Sequence, residues 1–153
     1  SKRETQLLRD DLRAARARLH PTDGPLDFFA GTLSRTNTDT DTEVAALYAA
    51  GLERDCSPAT EGSAQRDNCE AWYRGMARRD LQGARTRIDR ATQASPARSD
   101  YLDTQAVVLE AQGDLDGARR AAWAAARLEP DNLYFLWQAG RLAAAAPKTG
   151  GSP

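Results

Sequence analysis

The amino-acid sequence predicts an all-α chain of stacked antiparallel helix hairpins, an α-solenoid preceded by one extra helix. Three observations predict it. DLQGAR at residues 80–85 returns as DLDGAR at 114–119, thirty-four residues later, with Asp80/Asp114, Leu81/Leu115, Gly83/Gly117, Ala84/Ala118 and Arg85/Arg119 coinciding. Pro96 and Pro130 stand at the same interval. Between these markers helix signals alternate with turns, two helices to each interval, as expected of a unit that cannot bury its apolar face alone.

Residues 2–19, KRETQLLRDDLRAARARL, contain no Gly or Pro, and Leu8, Leu12, Ala15 and Leu19 follow a 4-3-4 spacing. That makes an amphipathic helix with one narrow apolar seam. The seam suits packing on the chain's own domain or self-association between copies, and spans fewer heptads than a coiled coil ordinarily needs. HPTDGP (20–25) breaks the chain, and LDFFAGTLS (26–34) reads as a short apolar helix. In TNTDTDTE (36–43), Asn37, Asp39 and Asp41 imitate a calcium loop, but its sixth position is Thr42 and its twelfth Tyr48. Such a loop requires Gly and Glu at those places. Thr40 with Glu43 is instead a capping box for a helix over 43–55, with Val44, Leu47, Tyr48 and Leu52 along one face. CSPATEGSAQRDNC (56–69) reads as a polar loop between two cysteines.

From residue 64 the helices come in pairs: 64–79 with 81–94, then 99–113 with 115–129, and a last one over 132–146 cut off by PKTGGSP. The division is an N-terminal helix (1–20), a degenerate hairpin and loop (21–63), the repeats with a capping helix (64–146) and a disordered tail (147–153). The paired segments resemble the tetratricopeptide repeat (TPR) family. Counted from Ser99, Leu102, Ala106, Leu109, Gly113, Leu115, Ala118, Ala125, Leu128 and Pro130 stand at the family's characteristic places. Ala122 is smaller than the usual aromatic there. The preceding unit keeps its second helix (Leu81, Ala84, Ile88, Ala91, Pro96) but has Trp72 at the small eighth position and Gly75 at the eleventh, which predicts a shifted or kinked first helix. Leu136 and Gly140 fit the start of a third unit. Ala46, Ala50 and Pro58 allow a degenerate hairpin upstream.

Charge and composition narrow the function. The chain has 21 Lys+Arg against 22 Asp+Glu, so no net field draws it to nucleic acid. All but Lys2 and Lys148 of those cations are Arg, which points to the codon usage of a GC-rich, bacterial genome. His20 is the one histidine, beside Pro21, so histidine-dependent nucleophilic chemistry has a single place to pass through. Two cysteines and one histidine are too few for a zinc site without carboxylates. No catalytic residue, metal or cofactor is assigned. Cys56 and Cys69 are expected to form a disulfide, closing a loop at a gain on the order of 3 kcal/mol. That favours a periplasmic or cell-envelope location. Lys2, Arg3, Arg9 and Arg13, beside a membrane tether lying outside this chain, would favour the cytoplasmic side instead.

The resemblance implies a concave face lined by first helices that grips a protein or peptide partner. On this sequence its inward positions are Asp100, Asp103, Val107 and Glu110, then Tyr134, Trp137 and Arg141, with Arg66, Tyr73 and Met76 from the first unit. Carboxylates beside Tyr and Trp suit a basic or amphipathic segment. The competing reading makes Tyr134 and Trp137 core residues and the acids a solvated face. Trp72 and Trp123 are read as packing. Two other functions remain open: a subunit that assembles through the Leu8, Leu12, Ala15, Leu19 seam, and a soluble accessory domain of a larger bacterial membrane protein or enzyme.

Overall fold

The structure, a computed structural model, describes residues 48–145. The seam at Leu8, Leu12, Ala15 and Leu19, the 21–47 segment, His20 and the 147–153 tail lie outside the described residues. The chain divides into two compact units, Ser1–Pro58 and Ala59–Pro153. In the first, residues 48–51 are helical and run into a π-helical turn, Leu52–Cys56. The Ser57 amide and hydroxyl close that turn, donating to the Leu52 carbonyl over 2.9 and 3.2 Å.

The second unit holds α1 (Ala64–Ala77), α2 (Leu81–Ala94), α3 (Ser99–Ala111), α4 (Leu115–Leu128) and α5 (Leu133–Ala144), and the described residues contain no strand. Four of these five helices start where the sequence supplies a side-chain acceptor for the orphan amides, and only α3, after Arg98, has none. Ser63 Oγ accepts from Arg66 N, and Asn132 Oδ1 accepts from Tyr134 N and Phe135 N. The repeated hexad has a local explanation here. Asp80 and Asp114 are the N-caps of α2 and α4, accepting from the Gly83 and Gly117 amides over 3.0 and 2.8 Å. A Cβ on either glycine would crowd the capping carboxylate as it sits, so the pairing of Asp with Gly three residues on preserves this cap geometry. Ala84 and Ala118, next in line, are fully buried.

Helix directions follow from the pairs that cross them. Asp67 near the start of α1 meets Arg90 near the end of α2 at 2.6 Å, and Glu70 meets Arg87 at 2.8 Å, so these helices are antiparallel. Ser99 at the start of α3 meets Glu129, just beyond α4. Glu110 meets Arg141 at 2.7 Å, and Asp103 meets Tyr134, so α3 and α5 run parallel. Gly75 of α1 lies against Val107 and Val108, and α1 packs on both α2 and α3.

The core is alanine-rich. Ala71, Ala84, Ile88, Ala91, Tyr101 and Val108 join the first hairpin to α3. Ala106, Ala118, Ala122, Ala125, Phe135, Ala139, Leu142 and their neighbours join α3, α4 and α5. Small side chains at such contacts let helix axes approach closely.

Of the shifted or kinked first helix expected, the shift occurs: α1 runs without a break, and its buried small residue is Ala71 rather than position 72, one residue off the thirty-four interval. Other expectations need correction. Trp72 is half-buried, and Trp123, expected to pack, is 43% exposed. Leu128 and Leu136 are also exposed. A capping helix ordinarily turns a polar side outward. α5 does the opposite: Leu133 is 79% and Trp137 52% exposed, while Phe135, Gln138, Ala139 and Leu142 face inward. Cys69 lies inside α1, so only residues 57–63 of the expected loop are non-helical.

Two glycines in helix interiors separate space from propensity. At Gly75 a Cβ would come within 3.0 and 3.1 Å of the Val107 and Val108 methyls. Those β-branched side chains are stiff at χ1 and cannot retreat. At Gly140 a Cβ would meet nothing within 4 Å. Gly140→Ala should therefore stabilise the protein by about 0.5–1 kcal/mol, the helix-propensity gain. Gly75→Ala should lose about 1 kcal/mol through overpacking. Urea denaturation of the two variants checks the opposite signs.

Candidate functional site

α1 packs on α3, and α5, packed on α4, reaches α3 through its side chains, which brings most of the expected site residues together. Asp103 lies on α3 and is 6% exposed. It contacts the Tyr134 hydroxyl from α5, which donates to the carboxylate. Two turns of α3 further on, Glu110 receives both Arg141 guanidinium nitrogens at 2.7 Å, in a fork-to-fork pair. Arg141 also lies 5.5 Å from the Trp137 ring centroid, and Trp137 stands 6.0 Å from Tyr134. Arg98, at the N-cap of α3, holds Asp100 over 2.7–2.9 Å and stacks 4.7 Å from Tyr101.

Between α1 and α3, at the edge near Phe135, is a depression of about 350 Å³. Asn68, Trp72 and Tyr73 line it from α1, and Asp103, Thr104 and Phe135 from the other side. Two oxygens in this neighbourhood are buried without a hydrogen-bond partner: Asn68 Oδ1 and Asp103 Oδ1. A second depression, about 510 Å³, is bordered by Asp67 and Arg90. Those two side chains satisfy each other, with Arg90 Nε and Nη2 on the Asp67 oxygens at 2.9 and 2.6 Å.

The expected residues fall into two groups. Asp100, Asp103, Glu110, Tyr134, Arg141 and Trp137 share one surface, and Trp137 is too exposed to be a core residue. Val107 is buried against Gly75 and is part of the packing. Tyr73 is mostly buried, yet it borders the depression. Arg66 is held by Glu70 and Glu61 at 2.9 and 3.0 Å, and Met76 is buried. Neither cysteine is free, and Cys56 and Cys69 are both disulfide-bonded. The sequence reading missed Asn68 and Phe135, whose roles depend on which helices meet. Among the described residues, no group of three or more His, Cys, Asp and Glu side chains could hold a metal ion.

Electrostatics single out Asp103. Burial pushes its carboxyl up to about 7, against the opposing pull of the Tyr134 hydroxyl and the Arg141 charge. Burial and the Asp103 carboxylate also push the Tyr134 hydroxyl up. Asp100, held by Arg98, sits below the usual carboxylate range. Burial alone would raise Glu70, but hydrogen bonds from Arg66 and Arg87 bring it below its ordinary value.

The folded protein keeps the Asp103 proton up to about pH 7, whereas the unfolded chain releases it near 3.9. Stability from this group is whole below pH 4 and is lost as the pH climbs through 7. Asp103→Asn removes the loss. The variant should match the parent near pH 4 and exceed it at pH 8 by on the order of 3 kcal/mol. Thermal melts of the two proteins at both pH values check the difference.

The chain matches no protein-family model, and no curated protein or solved structure matches it.

Proposed function

We propose that the chain is a non-catalytic module that binds a protein or peptide partner on the face shared by α1, α3 and α5. One observation carries this reading. Trp137, which is 52% exposed, the Tyr134 ring, the Glu110–Arg141 pair and the Asp103 depression lie on the same surface. Aromatic side chains beside a recess with polar surroundings are the composition of binding hot spots. The helix pairs, their alanine contacts and the Asp–Gly caps support reading the second unit as a TPR-like solenoid, in which first helices line the binding face. The bonded cysteines support an oxidising compartment, the bacterial periplasm or cell envelope. No described helix is long and apolar enough to cross a membrane.

The carboxylates select the partner's character. Asp100 and Glu110 are partly neutralised by Arg98 and Arg141, and Asp103 has no ion-pair partner among the described residues. A segment combining basic and apolar side chains complements this surface. Selection of a random peptide library against the whole, disulfide-intact chain should enrich such sequences. Trp137→Ala should weaken the selected peptides at least about tenfold, the scale of a hot-spot aromatic. Peptides that bind Trp137→Ala as well as the parent would place the binding surface elsewhere.

A further inference from the structure

We infer that the depression lined by Asn68, Trp72, Tyr73, Asp103 and Phe135 is a pocket for an organic cation, the guanidinium or ammonium group of a ligand. The inference rests on the binding-face reading above and narrows one part of that face to a single chemistry.

The unmet hydrogen bonds define the ligand. Asp103 is 6% exposed, and one of its oxygens, Oδ1, has no partner; Asn68 Oδ1 is in the same position. Buried polar atoms are normally paired, and an unpaired one costs free energy. Both unpaired atoms are acceptors on residues that line the recess, so a ligand that reaches them brings N–H or O–H donors. Among the described residues, the arginines nearest the recess are committed elsewhere. Arg98 holds Asp100, Arg141 forks onto Glu110, and Arg66 is taken by Glu61 and Glu70. The walls agree with the acceptors. Trp72, Tyr73 and Phe135 line the recess, and aromatic faces attract cations. Asp100 and Asp103 repel an anion. A hard metal ion needs six or more oxygens, and three rings with two such oxygens do not supply them. A flat or compact organic cation with an apolar stem satisfies both oxygens and rings.

The charge state of Asp103 makes the binding pH-dependent. The cation favours the ionised carboxylate, and burial holds that group protonated up to about 7. Affinity therefore rises with pH through neutrality and levels off above it. The other described ionisable groups around it keep their state in this range. Asp100, on the same helix, is held low by Arg98, while Tyr134 and Arg141 from α5 are both raised. α1 contributes Asn68 and the Trp72 and Tyr73 rings, and its Cys69 is bonded and does not titrate.

The test uses the full chain with its disulfide intact, titrated with butylguanidinium, with neutral butylurea of the same shape, and with the tripeptide acetyl-Gly-Arg-Gly-amide. Binding is followed by NMR shifts of the indole and amide signals of α1 and α3. Butylguanidinium should saturate shifts around Trp72 and Asp103, binding up to about tenfold more tightly at pH 8 than at pH 6. Butylurea should not bind. Asp103→Asn should lose most of the affinity and all of its pH dependence. Asn68→Leu, which removes the other oxygen without touching the acid, should weaken binding with the pH dependence retained. A tripeptide at least about tenfold tighter than butylguanidinium identifies a peptide side chain as the source; equal affinity identifies a free small cation. Equal binding of butylurea, or full affinity in both variants, overturns the pocket. If library peptides still require Trp137 while ignoring Asp103→Asn and excess butylguanidinium, this inference fails and the binding face stands. If butylguanidinium binds and no peptide does, the cation pocket stands and the peptide-binding face fails.

Discussion

Close approach of helices through alanine is the constraint on which the rest of the structure depends. Ala71, Ala84, Ala91, Ala106, Ala118, Ala125 and Ala139 are fully buried, and each lies where one helix faces another. A methyl group brings little transfer free energy, about 0.8 kcal/mol per buried carbon of this kind. What it supplies is proximity, and proximity determines what larger side chains must do. Ile88, Val108 and Leu142 then fill the remaining space, and all three are fully buried. The same proximity explains why arginines that look like codon bias have structural work in the first hairpin. Arg87 and Arg90 reach across it to Glu70 and Asp67, and Arg74 closes its turn on Asp80 at 2.7 Å. Asp67 is almost wholly buried, so Arg90 matters less for the strength of an exposed contact than for leaving no uncompensated charge behind it.

Much of the helical layout is legible in the sequence, because local rules determine it. The expected second helices, 81–94 and 115–129, agree with Leu81–Ala94 and Leu115–Leu128 to within a residue. Asp caps, the glycines they require and the prolines at 96 and 130 all act within a few residues of the boundary they mark. The turns show where local rules strain. Gly113 leaves α3 with φ of +86°, whereas the corresponding turn after α1 places Arg78 and Asp80 at positive φ. Those are conformations that side chains ordinarily avoid. The capping hydrogen bond of Asp80 and its ion pair with Arg74 hold that turn in place.

The candidate site is only half legible, and the division has a physical cause. Asp103, Glu110, Tyr134, Trp137 and Arg141 can be placed on one face by helical spacing alone, and they share it. Whether such a residue is spent on packing depends on its neighbours across the interface. Val107 meets Gly75, so it is buried; Trp137 meets no further helix among the described residues, so it is exposed. The one-residue shift of α1 has the same origin. Ala71 lies in the close contact because Trp72 is too large for it, and the displacement carries Asn68 and Tyr73 to the edge beside Asp103. No interval counted along the chain contains that information.

Asp103 shows how packing and function are coupled in this unit. An aspartate in an alanine-thin interface loses water and gains, in return, one hydroxyl from Tyr134. For stability alone an apolar or amide side chain would serve better, since no ion pair among the described residues neutralises the carboxylate. Glu110, two turns further along the same helix, shows the alternative in which Arg141 compensates the charge and the geometry closes on itself. The two acids thus divide the face. One pair is complete and orients α5 on α3, while the other acid is left incomplete beside aromatic walls. Local departures from what the fold would choose for itself are where binding surfaces are to be sought, and here the departure coincides with the recess.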